Sequence, residues 1–130
     1  MNQAEYDFLR ERAARAAGLV AWVFHMEPAT LFRVTRGDAE EAFARHVAMY
    51  LVQVVWPEET YDTIGQAFLG RHRSSVEHAI AWVSETCEAS PEFDAQMEWL
   101  ADLLRRGHEL GHAYLTRLMH CREAVDGVGA

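Results

Sequence analysis

Two stretches of the chain carry polar side chains at spacings that could do chemistry. The first is Gly70-Arg71-His72-Arg73-Ser74-Ser75, in which guanidinium, imidazole and hydroxyl groups crowd into a few positions beside a glycine. Such groups donate hydrogen bonds to phosphate oxygens and to base edges. The second is His108-Glu109-Leu110-Gly111-His112, a formal match to the zinc peptidase pattern H-E-x-x-H. There, two histidines one helical turn apart bind the metal and the glutamate acts as base. A catalytic zinc needs a third protein ligand, and only His120, Cys121, Glu123 and Asp126 follow, with no further helix to present them and no strand to align a peptide. His108 and His112 are therefore expected on the solvated face of a terminal helix, with no catalytic residue, metal or cofactor assigned.

The elements that must position the first cluster can be read from apolar spacing. Asn2 to about Phe24 has Phe8, Leu9, Ala13, Ala16 and Ala17 at helical intervals. Ala29 to Arg33 allows a short helix carrying Leu31 and Phe32 inward. Asp38 and Glu41 have the spacing of a capping box, opening a helix that buries Phe43, Val47, Leu51 and Val54 or Val55 before Pro57 stops it. Thr60 to Leu69 presents Tyr61, Ile64, Ala67 and Phe68 on one face and ends at Gly70, the residue best suited to a left-handed stop. Ser74 and Glu77 suggest a second capping box, followed by Val76, Ala79, Ile80 and Val83. Ser90-Pro91-Glu92 opens a last helix with Phe93, Met97, Leu100, Leu103 and Leu104, running to about Arg122 ahead of a frayed tail. No strand pattern appears, so the fold class is all-α, a bundle of about six helices.

Two short helices thus meet across Gly70-Arg71-His72-Arg73, the layout of a helix-turn-helix. Gly65 would let them approach closely. An ordinary helical hairpin has the same spacing, and the spacing alone does not choose between them.

The residues themselves do more. IGQAFLGRHRSSVEHA resembles the signature IG-x-x-F-G-G-R-D-H-S/T-T-V-x-H-A of the C-terminal DNA-binding domain of the replication initiator DnaA. ARHVAMYL is similar to the helix leading into that motif, and PATLFRVTRG falls at the family's basic loop. The resemblance runs from about Val23 to Arg106, so a single domain of residues 1–130 is expected, with a helix over 1–22 and an extension over 107–130. It implies that Arg36 inserts in a minor groove and that Arg45 and His46 contact backbone. Arg71, His72, Arg73, Ser74 and Ser75 would form the base- and phosphate-reading start of the recognition helix. His78 matches a later signature histidine, with a structural role expected here. The family's Asp-His pair is replaced by His72-Arg73, exchanging an acceptor suited to cytosine for a guanidinium suited to guanine, so the preferred site should differ. The chain has no lysine and no glycine-rich phosphate loop, which excludes initiation by the usual ATPase mechanism.

Stand-alone proteins of this size with a DnaA-like domain are similar to activators of gene-transfer-agent clusters in alphaproteobacteria. The resemblance therefore implies a transcription regulator that binds double-stranded DNA and works with RNA polymerase or another DNA-bound protein. A replication-origin regulator is the alternative.

Composition sets bounds on this reading. Half of the 130 residues are hydrophobic, enough for a core. Cys87 and Cys121 show neither metal nor disulfide spacing, and no signal peptide or membrane span is apparent, so a cytoplasmic, nucleoid-associated protein is expected. The net charge of −8 opposes DNA binding unless the basic groups are concentrated on one face. Trp22, Trp56 and Trp99 are expected in the core or at its rim. Trp82 lies off the apolar stripe of its helix and is expected at the surface, marking a protein interface or packing on the last helix.

Overall fold

The computed structural model describes residues 1–33 and 38–110. Within them lie five α-helices and one 3-10 turn: α1 (Gln3–Phe24), the turn Pro28–Phe32, α2 (Ala39–Val55), α3 (Tyr61–Ala67), α4 (Arg73–Ala89) and α5 (Pro91–Leu110). The all-helical expectation holds among the described residues, and the sixth helical element is the 3-10 turn.

Each helix begins where a side chain can accept from an orphan amide. Asn2 caps α1 and forms a full box with Glu5. Asp38 accepts from Glu41 N–H at 2.8 Å, but the Glu41 carboxylate turns to Arg33, 3.5 Å away, in place of closing the box. Thr60 and Thr63 cap α3 reciprocally. Ser90 Oγ accepts from Phe93 N–H at 3.2 Å at the start of α5.

α2 is the central helix: it packs against α1, α4, α5 and the 3-10 turn, which is why Ala44, Val47, Ala48, Met49, Leu51 and Val52 are all buried around it. α1 contributes Leu9, Ala13, Ala16, Ala17 and Val20 to the same core, and α4 contributes Val76, Ala79, Ile80 and Val83. α5 closes the bundle with Met97, Leu100, Leu103 and Leu104, and Arg15 of α1 ties to it by donating to the Gly107 carbonyl at 3.1 Å.

Three expectations need correction. Phe8 does not join the inward stripe of α1: it is 49% exposed, and the Arg12 guanidinium covers its ring at 4.4 Å. Trp99 is 52% exposed on α5, whereas Trp56 is buried and Trp22 half-buried. The Ser74–Glu77 box does not form, because α4 already starts at Arg73 under a cap supplied by His72.

Candidate nucleic-acid interface

The link between α3 and α4 is built on one close approach. Gly65, buried in α3, lies so near the Arg71 carbonyl oxygen that a Cβ at position 65 would collide with it. Arg71 N–H donates back to the Gly65 carbonyl at 2.9 Å. The chain turns through positive φ at both Leu69 (60°) and Gly70 (71°), so the stop expected at Gly70 begins one residue earlier, on a side chain poorly suited to it.

From this turn the chain enters α4 at His72. Its Nδ1 accepts from Ser74 N–H at 3.1 Å and lies 2.7 Å from Ser74 Oγ. That bond assigns the acceptor role to Nδ1 and leaves Nε2 as the donor. Arg73, Ser74, Ser75, Glu77 and His78 are all exposed on the first two turns of α4, while Val76, Ala79 and Ile80 between and after them are buried.

Beside them a cleft of about 490 Å³ opens between α2 and α4, lined by Ala42, Arg45, His46, Arg71, Ser74, Ser75 and His78. Arg45 is only 2% exposed, and its Nε donates to the Leu31 carbonyl at 3.1 Å, so it forms the floor of the cleft. Arg71 donates to the Arg33 carbonyl at 2.7 Å. Burial, and then the charge of Arg71, push the Arg45 pKa down, while Glu41 opposes the shift. Burial likewise lowers Arg71. His46 is lowered by burial first and then by Arg45, His78 and Arg71. Several positive or protonatable groups therefore repel one another in a partly enclosed space with Glu41 as the carboxylate that counts against them. An anion seated there would relieve that repulsion and meet two hydroxyls and the amide end of α4.

Of the residues singled out in the sequence, the structure brings Arg45, His46, Arg71, Ser74 and Ser75 to one cleft and sets His72 and Arg73 at its edge, at the start of α4. Arg36 lies outside the described residues, as does His112; His108 falls in the last turn of α5, and the zinc motif is not otherwise described. No group of three or more His, Cys, Asp or Glu side chains among the described residues could hold a metal ion. Sequence reasoning did not place Ala42 or His78 in the cleft. The signal for His78 was its position one turn after Ser74, which puts both on the same edge of α4.

A short helix, a glycine-dependent turn and a second helix whose exposed start carries cations and hydroxyls make this a helix-turn-helix, a class of fold that binds duplex DNA. The model of the bacterial DnaA protein helix-turn-helix matches residues 17–83, a little over half of the chain, and the protein belongs to that family. No curated protein gives a significant match. Among the described residues no helix is long and apolar enough to cross a membrane.

Proposed function

We propose that the protein is a sequence-specific double-stranded DNA-binding regulator of transcription, acting with RNA polymerase or a second DNA-bound protein. The observation that carries the DNA reading is the cleft in which Arg45, His46, Arg71 and His78 meet beside the hydroxyls of Ser74 and Ser75. Its cations and hydroxyls beside the start of α4 are of the kind that hold a phosphate flanking a helix in the major groove, and they give local positive character to a chain of net charge −8. In this reading Arg73 and His72 address base edges, Arg45 and His46 with Arg71, Ser74 and Ser75 hold backbone, and Arg36 probes the minor groove.

The partner role rests on the net charge of −8. An anionic chain binds duplex weakly by itself, and a neighbouring protein on the same duplex makes up the deficit. The test is in two stages. Purified protein at low ionic strength should shift duplex fragments with an affinity that falls as salt rises, and absence of any shift would end the DNA reading. Chromatin mapping should then place it at promoters, whereas occupancy confined to the replication origin would replace transcription control by origin regulation.

A further inference from the structure

Glu77 is an acidic side chain on the exposed part of α4, one turn after Arg73 and next to His78. No hydrogen bond or ion pair engages its carboxylate among the described residues. Some carboxylates of the fold are paired, Glu59 and Glu58 with Arg12 at 2.8 Å, Glu11 with Arg15 at 2.9 Å and Asp102 with Arg106 at 3.0 Å, and others are exposed and unpaired as Glu77 is; what sets Glu77 apart is its place near the start of the second helix of the motif. Arg73 is the cation within reach on the same helix, but the order Arg then Glu at i,i+4 is the weaker orientation for such a pair, and the two are not paired here.

A carboxylate on a helix that lies in a major groove meets phosphate on both sides, so it weakens binding to every duplex unless something in the groove donates to it. Only the exocyclic amines donate there, on cytosine N4 and adenine N6, and cytosine N4 is the partner suited to a carboxylate. Resting on the DNA reading above, we infer that Glu77 is a specificity-determining residue that selects a cytosine by accepting from its N4 amine and penalises sequences lacking that donor. Four residues along α4 correspond to about 6 Å, or about two base pairs, so the cytosine lies close to, and is distinct from, the pair addressed by Arg73.

This assignment predicts opposite effects on two affinities, which a structural or merely solubilising carboxylate would not produce. The experiment is selection from a randomised duplex pool with the full chain as wild type, E77A, E77Q and R73A, followed by binding to the selected and scrambled duplexes. Glu77→Ala should bind scrambled duplexes more tightly, because a repulsion is removed, yet lose roughly 5- to 150-fold discrimination for cytosine at one position. Glu77→Gln should move the preference at that position toward adenine. R73A should lose a different position. The inference is overturned if E77A selects the wild-type sequence, or if E77A and R73A lose the same base pair, which would make Glu77 a support for Arg73. Wild-type protein that binds no duplex overturns this inference together with the DNA reading, whereas a bound duplex whose sequence is indifferent to Glu77 overturns this inference alone. Thermal melting of E77A should match wild type, since the side chain is exposed.

Discussion

Gly65 and Arg71 hold each other from both sides: the Arg71 amide donates to the Gly65 carbonyl at 2.9 Å, and the Arg71 carbonyl fills the space a Cβ on Gly65 would occupy. The obstructing atom is backbone, so no side-chain rotation can relieve a larger residue. Gly65→Ala should therefore destabilise the fold by about 1–3 kcal/mol through overpacking and push the start of α4 away from α3. Chemical denaturation gives the first effect. A DNA affinity reduced further than the lost folded fraction would show the second, and an unaltered midpoint would mean that the two helices are not held this closely.

The next residues of the same turn carry a strain that works the other way. Leu69 sits at φ 60° with its side chain 45% exposed, so it makes little packing in return for a left-handed backbone. Leu69→Gly should stabilise by up to about 1 kcal/mol, the relief of strain being partly offset by the greater freedom of glycine in the unfolded chain. A lowered melting temperature would show instead that the Leu69 side chain contributes more by burial than its backbone costs.

These positions also show what could be read in advance. The glycine at 65, the turn at 70, the boundaries of α2 and the start of α5 follow from spacing and caps because those rules act between neighbours in the chain; the end expected for α5 near Arg122 lies outside the described residues. The burial of Arg45 and the exposure of Phe8 were not legible, for opposite reasons. A stripe drawn through Phe43, Val47 and Leu51 treats α2 as buried on one side, whereas the helix touches all five other described elements and takes Arg45 inward with it. Phe8 lies near the free end of α1, where Arg12 covers it in place of another helix. His72 displaced Ser74 as the cap because an imidazole nitrogen can accept an amide as a hydroxyl does, and sequence rules favour the hydroxyl. The cleft was legible as separate residues. That His78 joins it depended on how α4 lies across α2, which no local pattern encodes.

His72 therefore offers a direct check on the start of α4. His72→Ala removes the acceptor for Ser74 N–H and should cost about 0.5–2 kcal/mol, as loss of other N-cap side chains does. His72→Asp, which restores the residue the family signature has there, should keep the cap and return the melting temperature to that of the wild type. If both variants melt alike, the cap bond contributes nothing measurable.

Separate residues should govern affinity and sequence preference. Arg73→Ala should relax the preference at one base pair and cost about 1–3 kcal/mol on the selected site. His78→Ala should weaken matched and scrambled duplexes alike, without harming the fold, because its exposed side chain borders the cleft. Arg45→Ala should produce the same uniform loss and a salt dependence shallower by about one ion, together with a lower melting temperature from the lost bond to the Leu31 carbonyl. Binding isotherms on both duplexes at several salt concentrations separate these patterns, and a uniform loss in R73A would remove it from the base-reading role.

His46 ties the cleft to pH, with opposite signs for folding and for binding. Burial, and then Arg45, His78 and Arg71, lower its pKa in the folded protein from the ordinary histidine value of about 6.5. The unfolded chain therefore takes up this proton first as pH falls. The stability linked to His46 is complete above about pH 6.5 and is lost as pH drops through the lower folded value. A phosphate in the cleft reverses the electrostatic part, because it opposes the same cations and favours the charged imidazole, so duplex affinity should rise over the pH interval in which stability falls. His46→Gln keeps a polar side chain without the titration and should flatten both trends. The check is a pair of pH series, denaturation of the free protein and anisotropy with duplex, run on wild type and variant. Parallel curves for the two proteins in both series would show that His46 neither limits folding in acid nor meets phosphate when DNA is bound.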